Sequence, residues 1–334
     1  MGEDIKLHFE FMLLHSALPV IGSLVSYRIA EHLQTGPKSA EELASLASIN
    51  PSRLFQYLRL ASHFEVFAYD LNSREWSNTP RSLILTSSLS RGLWEWHTDP
   101  MILDNYIHSN PILASDKEPH IIKNKPPLFE TLSQTPELLL KFQKCMTEMT
   151  GFILNEIIEN INIENSQKVL DVGGADGSLV LGILKRHEHA IGGILDRHEV
   201  EPIANKNIND NGLSEKALFH SGNFFESITE GYDCIVMKHI IHDWNDEKAS
   251  VILKNCRKVL KEGNKLFIVD QIIDKNSESY PTNLAMDHLM LIALGAKERT
   301  AQEFEKLLSE SGFSLVSVKR VGFEAVIEAV VINS

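Results

Sequence analysis

His242 is the residue in this chain best placed to move a proton. It follows the apolar run Cys234-Ile-Val-Met237, which reads as a buried strand, and Asp243-Trp-Asn-Asp246 after it reads as the entry to a helix. An imidazole has an ordinary pKa near 6.5, so a histidine just past a strand end can accept a proton at neutral pH. His239, three residues earlier, raises the question of a metal, but neither a cysteine nor a third histidine follows at ligand spacing. No metal is expected, and His239 reads as a structural residue. A second constellation is Val169-Leu-Asp-Val-Gly-Gly-Ala-Asp-Gly177. A strand ends on Asp171, small residues then let the backbone approach a ligand, and a helix begins. Ala175 and Ser178 stand where a dinucleotide fingerprint needs glycine. The acid beside this loop, Asp171, is suited to pairing with an ammonium group. Asp196 follows Gly177 by nineteen residues, at the tip of the next strand. A carboxylate there accepts hydrogen bonds from a ribose diol.

These groups need a sheet whose strand ends converge, and the second half of the chain reads as one. Apolar strands over 168–172, 190–195, 219–221, 232–237 and 265–269 alternate with helices. A capped helix over 300–312 and an antiparallel pair, 314–318 with 325–332, close the chain. The expected fold class is α/β, with a doubly wound catalytic domain over 166–334. Residues 1–100 read differently. Ser39-Ala-Glu-Glu42 is a capping box for a short helix, Asn50-Pro51 turns into a second helix with Leu54, Leu58 and Ala61 on one face, and 66–69 and 74–77 form a hairpin. Helix, turn, helix, hairpin is a winged-helix order. Residues 101–165 read as a helical linker with pocket helices. Within it, 136–159 is a helix whose stripe includes Phe142, Cys145, Met146, Met149 and Ile153. Such a stripe is ordinarily core, but Phe142, Met146 and Met149 are candidates for lining an apolar ligand pocket.

The chain of 334 residues is 43% hydrophobic and 23% charged, the balance of a soluble globular protein. A net charge of −13 disfavours nucleic acid as a partner and leaves small molecules as the expected ligands. Three scattered cysteines have neither disulfide nor metal-clamp spacing, which fits a reducing compartment. The early apolar stretch Ala17–Val25 is interrupted by Pro19 and Gly22, so no membrane span is expected. Acidic residues precede it, unlike a signal peptide, and a cytoplasmic protein is expected. Apolar faces within Phe9–Val25 and Leu54–Phe64 suggest a homodimer.

Three strings together carry a family resemblance. Asp171-Val-Gly-Gly174, His242-Asp-Trp-Asn-Asp246 and Gly295-Ala-Lys-Glu-Arg-Thr300 resemble those of the S-adenosylmethionine-dependent small-molecule O-methyltransferases. These include caffeic-acid, hydroxyindole and bacterial polyketide and phenazine enzymes, and the resemblance spans nearly the whole chain. It implies a class I methyltransferase sheet behind an N-terminal winged-helix-like dimerisation domain. It also implies His242 as general base, with Glu298 and Asp270 as the acids flanking it. Cofactor positions carry over to Gly173 in the loop, Asp196 at the ribose, Asn223 and Phe224 near the adenine, and Lys238. His288, in Met286-Asp-His-Leu-Met290, matches a substrate-facing segment. The departures are Arg197-His198 for the common Leu-Pro, Asn223 for Asp, and Asp270 for Glu. Two rival functions remain at this level. One is a methyltransferase-like enzyme that uses the cofactor for other chemistry, such as a pericyclic reaction. The other is a cofactor-sensing winged-helix regulator.

Overall fold

A computed structural model describes residues 3–163 and 168–332. It resolves into two compact units. One holds the described residues up to Asp104 together with Leu140–Met149; the other holds Asn105–Leu139 and those from Thr150 onward. The helix Pro136–Asn160 is thus divided between them.

In the first unit the winged-helix order is present. Helix Ala40–Ala47 starts at a capping box: the Ser39 N–H donates to Glu42 Oε2 at 2.8 Å and the Glu42 N–H to Ser39 Oγ at 3.2 Å. Helix Pro51–His63 has Asn50 as its cap and proline in its first turn. Strands β1 (Phe67–Asp70) and β2 (Glu75–Asn78) pair antiparallel. Leu43, Leu54, Leu58, Ala61, Phe67 and Trp76 are all buried in one core. The apolar face of Leu54–Phe64 is therefore consumed inside its own unit, which removes it as a reason to expect a dimer.

The N-terminal segment departs further from expectation. Glu3–Ser26 is one helix that runs straight through Pro19, and Ile5–Ser26 is long and apolar enough to cross a membrane by length and composition. Interior proline costs on the order of 3 kcal/mol and glycine about 1 kcal/mol, yet the helix continues through both Pro19 and Gly22. Ile5, Leu7, Phe9, Phe11, Met12 and Leu14 are each about half exposed, whereas Leu24 and Val25 are buried.

The second unit is built on a seven-stranded sheet. Its strands are β3 (Lys168–Val172), β4 (Ile191–Asp196), β5 (Ala217–Ser221), β6 (Cys234–Lys238), β7 (Lys265–Asp270), β8 (Phe313–Val321) and β9 (Glu324–Val331). They lie in the order β5-β4-β3-β6-β7-β9-β8. The first five run parallel, while β9 is antiparallel to β7 and to β8. Helices on both faces bury alternate residues of each strand. Ile235 and Met237 of β6 join a core with Phe304 and Phe313, and Cys234 and Val236 join another with Ile157 and Phe267. The strand order reverses between β3 and β6, so the carboxyl ends of these strands border a crevice. Because β9 runs the other way, its first residue, Glu324, lies at that same edge, beside the end of β7 where Asp270 pairs with Ala325. Helix Tyr280–Leu294 and the short helices between Pro100 and Gln134 were not resolved from the sequence pattern.

Candidate active site

At the carboxyl end of β3 the chain turns through three left-handed residues, Gly173 (φ 71°), Ala175 (φ 47°) and Gly177 (φ 78°). Gly173 is required twice over, because a Cβ there would lie 2.2 Å from Ile240 Cδ1. A Cβ on Gly174 would lie 2.6 Å from Asp171 Cγ, so the loop lies directly on that acid. Asp171 is buried and makes no ion pair among the described residues; the Val180 N–H donates to its Oδ2 at 3.4 Å. Burial, with Asp196 and Asp176 adding like charge, pushes its carboxyl up to about 7. Asp196 ties the tip of β4 to the loop by accepting the Ala175 N–H at 2.8 Å and the Arg197 N–H at 2.7 Å. Burial raises its carboxyl as well. A buried acid without an ion pair, under a small-residue loop, suits a ligand bearing an ammonium or sulfonium.

Phe224 packs against Phe225 at 5.0 Å and Trp244 at 6.4 Å between ring centroids. The buried Asn255 amide donates to the carbonyls of both phenylalanines, at 3.0 and 2.9 Å, and so fixes this aromatic corner. Asn223 caps the local turn: its Oδ1 accepts the Phe225 N–H at 3.1 Å and its amide donates to Glu226 at 3.0 Å.

His242 sits in the turn after β6, almost wholly buried. Its Nδ1 lies 2.7 Å from Glu298 Oε1, and its backbone N–H donates to Asp270 Oδ2 at 3.2 Å. Asp243 Oδ1 lies 3.6 Å from Nε2. Burial alone would lower the imidazole's proton affinity. Glu298, Asp270 and Asp243 outweigh it and push His242 up to about 10. Burial in turn pushes Asp270 and Asp243 up to about 7. With the Nδ1 proton directed at Glu298, Nε2 is the nitrogen left to accept a proton from a substrate.

Glu298 is brought here by two features absent from the sequence reading. Ile272, just past β7, bridges to Arg299, and Asp287 on helix Tyr280–Leu294 accepts the Glu298 N–H at 2.9 Å. Arg299 is fully buried and clamps the His242 turn. It donates to the Ile241 carbonyl at 2.9 Å, the Trp244 carbonyl at 2.8 Å and Asp246 Oδ1 at 2.9 Å.

Lys238 and His239 both face Glu324, whose carboxylate is 2.9 Å from Lys238 Nζ and 2.7 Å from His239 Nε2. The Lys238 ammonium is therefore engaged by a protein carboxylate. Phe142, Met146 and Met149 belong to the first unit. There Phe142 meets Trp96 edge-on at 5.1 Å, Met149 is buried and Met146 is half-buried. His288 is exposed on helix Tyr280–Leu294, its ring 5.9 Å from that of Tyr106. Asp171, Gly173, Asp196, Lys238, His242, Asp270 and Glu298 all lie along one edge of the sheet. Glu324, Asp243 and Arg299 are members of that edge which the sequence reading did not single out. The stretch Lys238–Asp246 offered Asp243 by adjacency, and the Gly295–Thr300 string offered Arg299.

This sheet, the loop under its first strand and the acid-flanked histidine define a class I methyltransferase fold. A family profile for an O-methyltransferase domain matches residues 120–314, and the chain belongs to that family. It is similar to the mitomycin biosynthesis 6-O-methyltransferase of Streptomyces lavendulae, 25% identical over 298 residues, covering 86% of this chain and 83% of that one. Among solved structures, a mitomycin 7-O-methyltransferase superposes with a TM-score of 0.89 at 22% identity over 98% of both chains. An O-methyltransferase from neocarzinostatin biosynthesis, in complex with S-adenosylmethionine and 2-hydroxy-5-methyl naphthoic acid, superposes with a TM-score of 0.83 at 22% identity, covering 95% of this chain and 96% of that one.

Proposed function

We propose that this O-methyltransferase moves a methyl group from S-adenosylmethionine to a hydroxyl of a small aromatic or polyketide-like secondary metabolite, with His242 as general base. The single observation that carries this reading is the buried His242–Glu298 contact of 2.7 Å at the sheet edge that also bears the Asp171 loop. Asp171 and the Gly173–Gly177 loop take the cationic amino-acid end of the cofactor. Asp196 takes the ribose, and Asn223 with Phe224 frames the adenine. The Lys238 ammonium, paired with Glu324, contributes through that pair. When bound, the cofactor supplies an electrophilic methyl. Phe142, Met146, Met149 and His288 are the candidate substrate contacts.

The acids around His242 match the base to this task. A phenol and an ordinary imidazole differ by roughly 3.5 pK units, so a phenolic proton moves onto free imidazole uphill by about 5 kcal/mol. With His242 pushed up to about 10, the transfer is close to level. The same acids hold unliganded His242 mainly as imidazolium at neutral pH. The competent neutral fraction then grows about tenfold per pH unit, and kcat/KM rises with pH toward about 10.

The exposed apolar residues between Ile5 and Leu14 support a homodimer formed through the N-terminal helix. Three buried free thiols are compatible with the cytoplasm as the working compartment.

The test is incubation with methyl-labelled S-adenosylmethionine and a panel of phenols, naphthols and hydroxyquinones. Label in a product and an equal amount of S-adenosylhomocysteine are expected. Cofactor binding by calorimetry with no transfer to any hydroxyl would overturn the reading in favour of non-methylating chemistry.

A further inference from the structure

We propose that His239 and Glu324 form a second histidine–carboxylate pair whose work is to position the base, the His239 ring stacking on His242 and setting its plane. This rests on the assignment of His242 as base.

The geometry begins with the backbone. His239 adopts φ 55°, a left-handed conformation that costs a residue with a Cβ roughly 1 kcal/mol or more. Its N–H donates to the Val269 carbonyl at 3.0 Å, so the turn is locked to β7. The turn sets the two imidazoles 5.0 Å apart between centroids, with 28° between their planes. Two cationic rings would repel at that separation; one neutral ring and one charged ring would not.

The surroundings make His239 the neutral member. Its side chain is 9% exposed, Glu324 is fully buried and Lys238 is 7% exposed. Lys238 Nζ lies 3.2 Å from His239 Nδ1, and Glu324 Oε1 lies 2.7 Å from Nε2. The Glu324 contact is one of charge rather than a directed hydrogen bond, and the Lys238 ammonium lies against both ring nitrogens, 3.1 Å from Nε2 as well as 3.2 Å from Nδ1, which disfavours a second positive charge on the ring. Burial first, then Lys238, lower His239 to about 4, against the opposing pull of Glu324. Groups facing the two rings are Lys238 from β6, Asp243 from the turn, Asp270 from β7, Glu298 from the segment before helix Ala301–Glu310, and Glu324 from β9. Three carboxylates serve His242, while His239 shares its one carboxylate with a lysine. The pair is thereby divided into a proton-holding ring and a flat neutral support. Nothing in sheet packing asks for a buried Lys–Glu–His cluster, since apolar side chains fill such a position at lower desolvation cost.

The experiment compares His239→Ala with His239→Phe, each checked for native circular dichroism and cofactor affinity, in steady-state methyl transfer. His239→Ala is expected to lower kcat by about ten- to a hundredfold with the cofactor KM little changed, as for a base held in the wrong orientation. His239→Phe restores a flat ring and is expected to recover most of that loss. Equal kcat in wild type and His239→Ala overturns the proposal, and so does a Phe variant as slow as the Ala variant. Nitrogen-15 histidine NMR of the unliganded wild-type protein tests the pair without turnover. His239 is expected to stay neutral from about pH 8 to about pH 5. Titration near the free-imidazole value overturns it even where the variants fail to fold. A protein that shows the expected NMR signature but transfers methyl to no hydroxyl would contradict the proposed function rather than the arrangement of the rings.

Discussion

The two sides of the sheet edge solve opposite electrostatic problems. On the β3–β4 side, Asp171 and Asp196 are acids held among backbone N–H groups, with Asp171 pushed up to about 7 by burial and by the like charge of Asp196 and Asp176. On the β6–β7 side, His242 is a base surrounded by more acid than it needs and pushed up to about 10. The first side holds a buried acid with no ion pair among the described residues; the second surrounds its imidazole with carboxylates. In the proposed mechanism binding and proton transfer fall to separate strand ends, and each can be perturbed alone.

The largest effect is expected at the clamp beneath the base. Arg299→Met leaves the Ile241 and Trp244 carbonyls and Asp246 without their buried donor. Asp246 is exposed and keeps Lys297, so the cost falls on the two carbonyls, on the order of 1–3 kcal/mol each, which urea denaturation would register as a lowered midpoint. A variant as stable as wild type would mean that the turn holds itself.

Glu298→Gln comes next. It removes a negative charge 2.7 Å from Nδ1, so the pKa of His242 falls and the rising limb of kcat/KM moves to lower pH. At neutral pH the variant gains neutral base but loses imidazolium stabilisation and orientation, and kcat is expected to fall about ten- to a hundredfold. A pH limb that stays in place would show that Glu298 does not set the base.

Asp171→Asn should separate stability from binding. The carboxyl is raised above its unfolded value, so it costs stability once pH exceeds the unfolded pKa, and the full cost is present above about 7. The amide retains an acceptor for the Val180 N–H without that cost. At pH 8 the unliganded variant is expected to melt a few degrees higher, on the order of 2–4 °C per kcal/mol, and to bind S-adenosylmethionine roughly tenfold more weakly. Scanning calorimetry and titration calorimetry read the two effects on one preparation. A lower melting temperature with unchanged affinity would make Asp171 purely structural.

The smallest effect is a pH dependence. His239 is held down to about 4, so below about 6.5 the unfolded chain takes a proton that the folded one refuses. That difference costs the folded state progressively more stability as pH falls from about 6.5 toward about 4. His239→Phe lacks it, so the stability difference between variant and wild type should move in favour of the variant across that window. A difference independent of pH would indicate that His239 titrates as a solvated ring.

The binding side was the more legible in sequence, and for a physical reason. Asp171, Gly173 and Asp196 lie within one βαβ unit, so strand period, glycine turn and spacing fix them locally. The base side was half legible. His242 is announced by the strand before it, but Asp270 reaches it from β7 and Glu298 from a loop, while Glu324 reaches His239 from the start of an antiparallel strand. Only the sheet order brings those together, and no local pattern encodes a sheet order. Helix Tyr280–Leu294 escaped because its residues are apolar nearly all round, leaving no 3.6-residue stripe to read. Pro19 and Gly22 conceal the N-terminal helix in the sequence, because both read locally as breaks although the helix runs through them.

His242→Ala tests the central claim most directly, measured with the wild type for single-turnover methyl transfer and, in parallel, for S-adenosylmethionine affinity by calorimetry. The account predicts a loss of about a hundred- to ten-thousandfold in the transfer rate with affinity within about twofold of wild type. A His242→Ala enzyme that transfers methyl at the wild-type rate, folded and with cofactor bound, would contradict it.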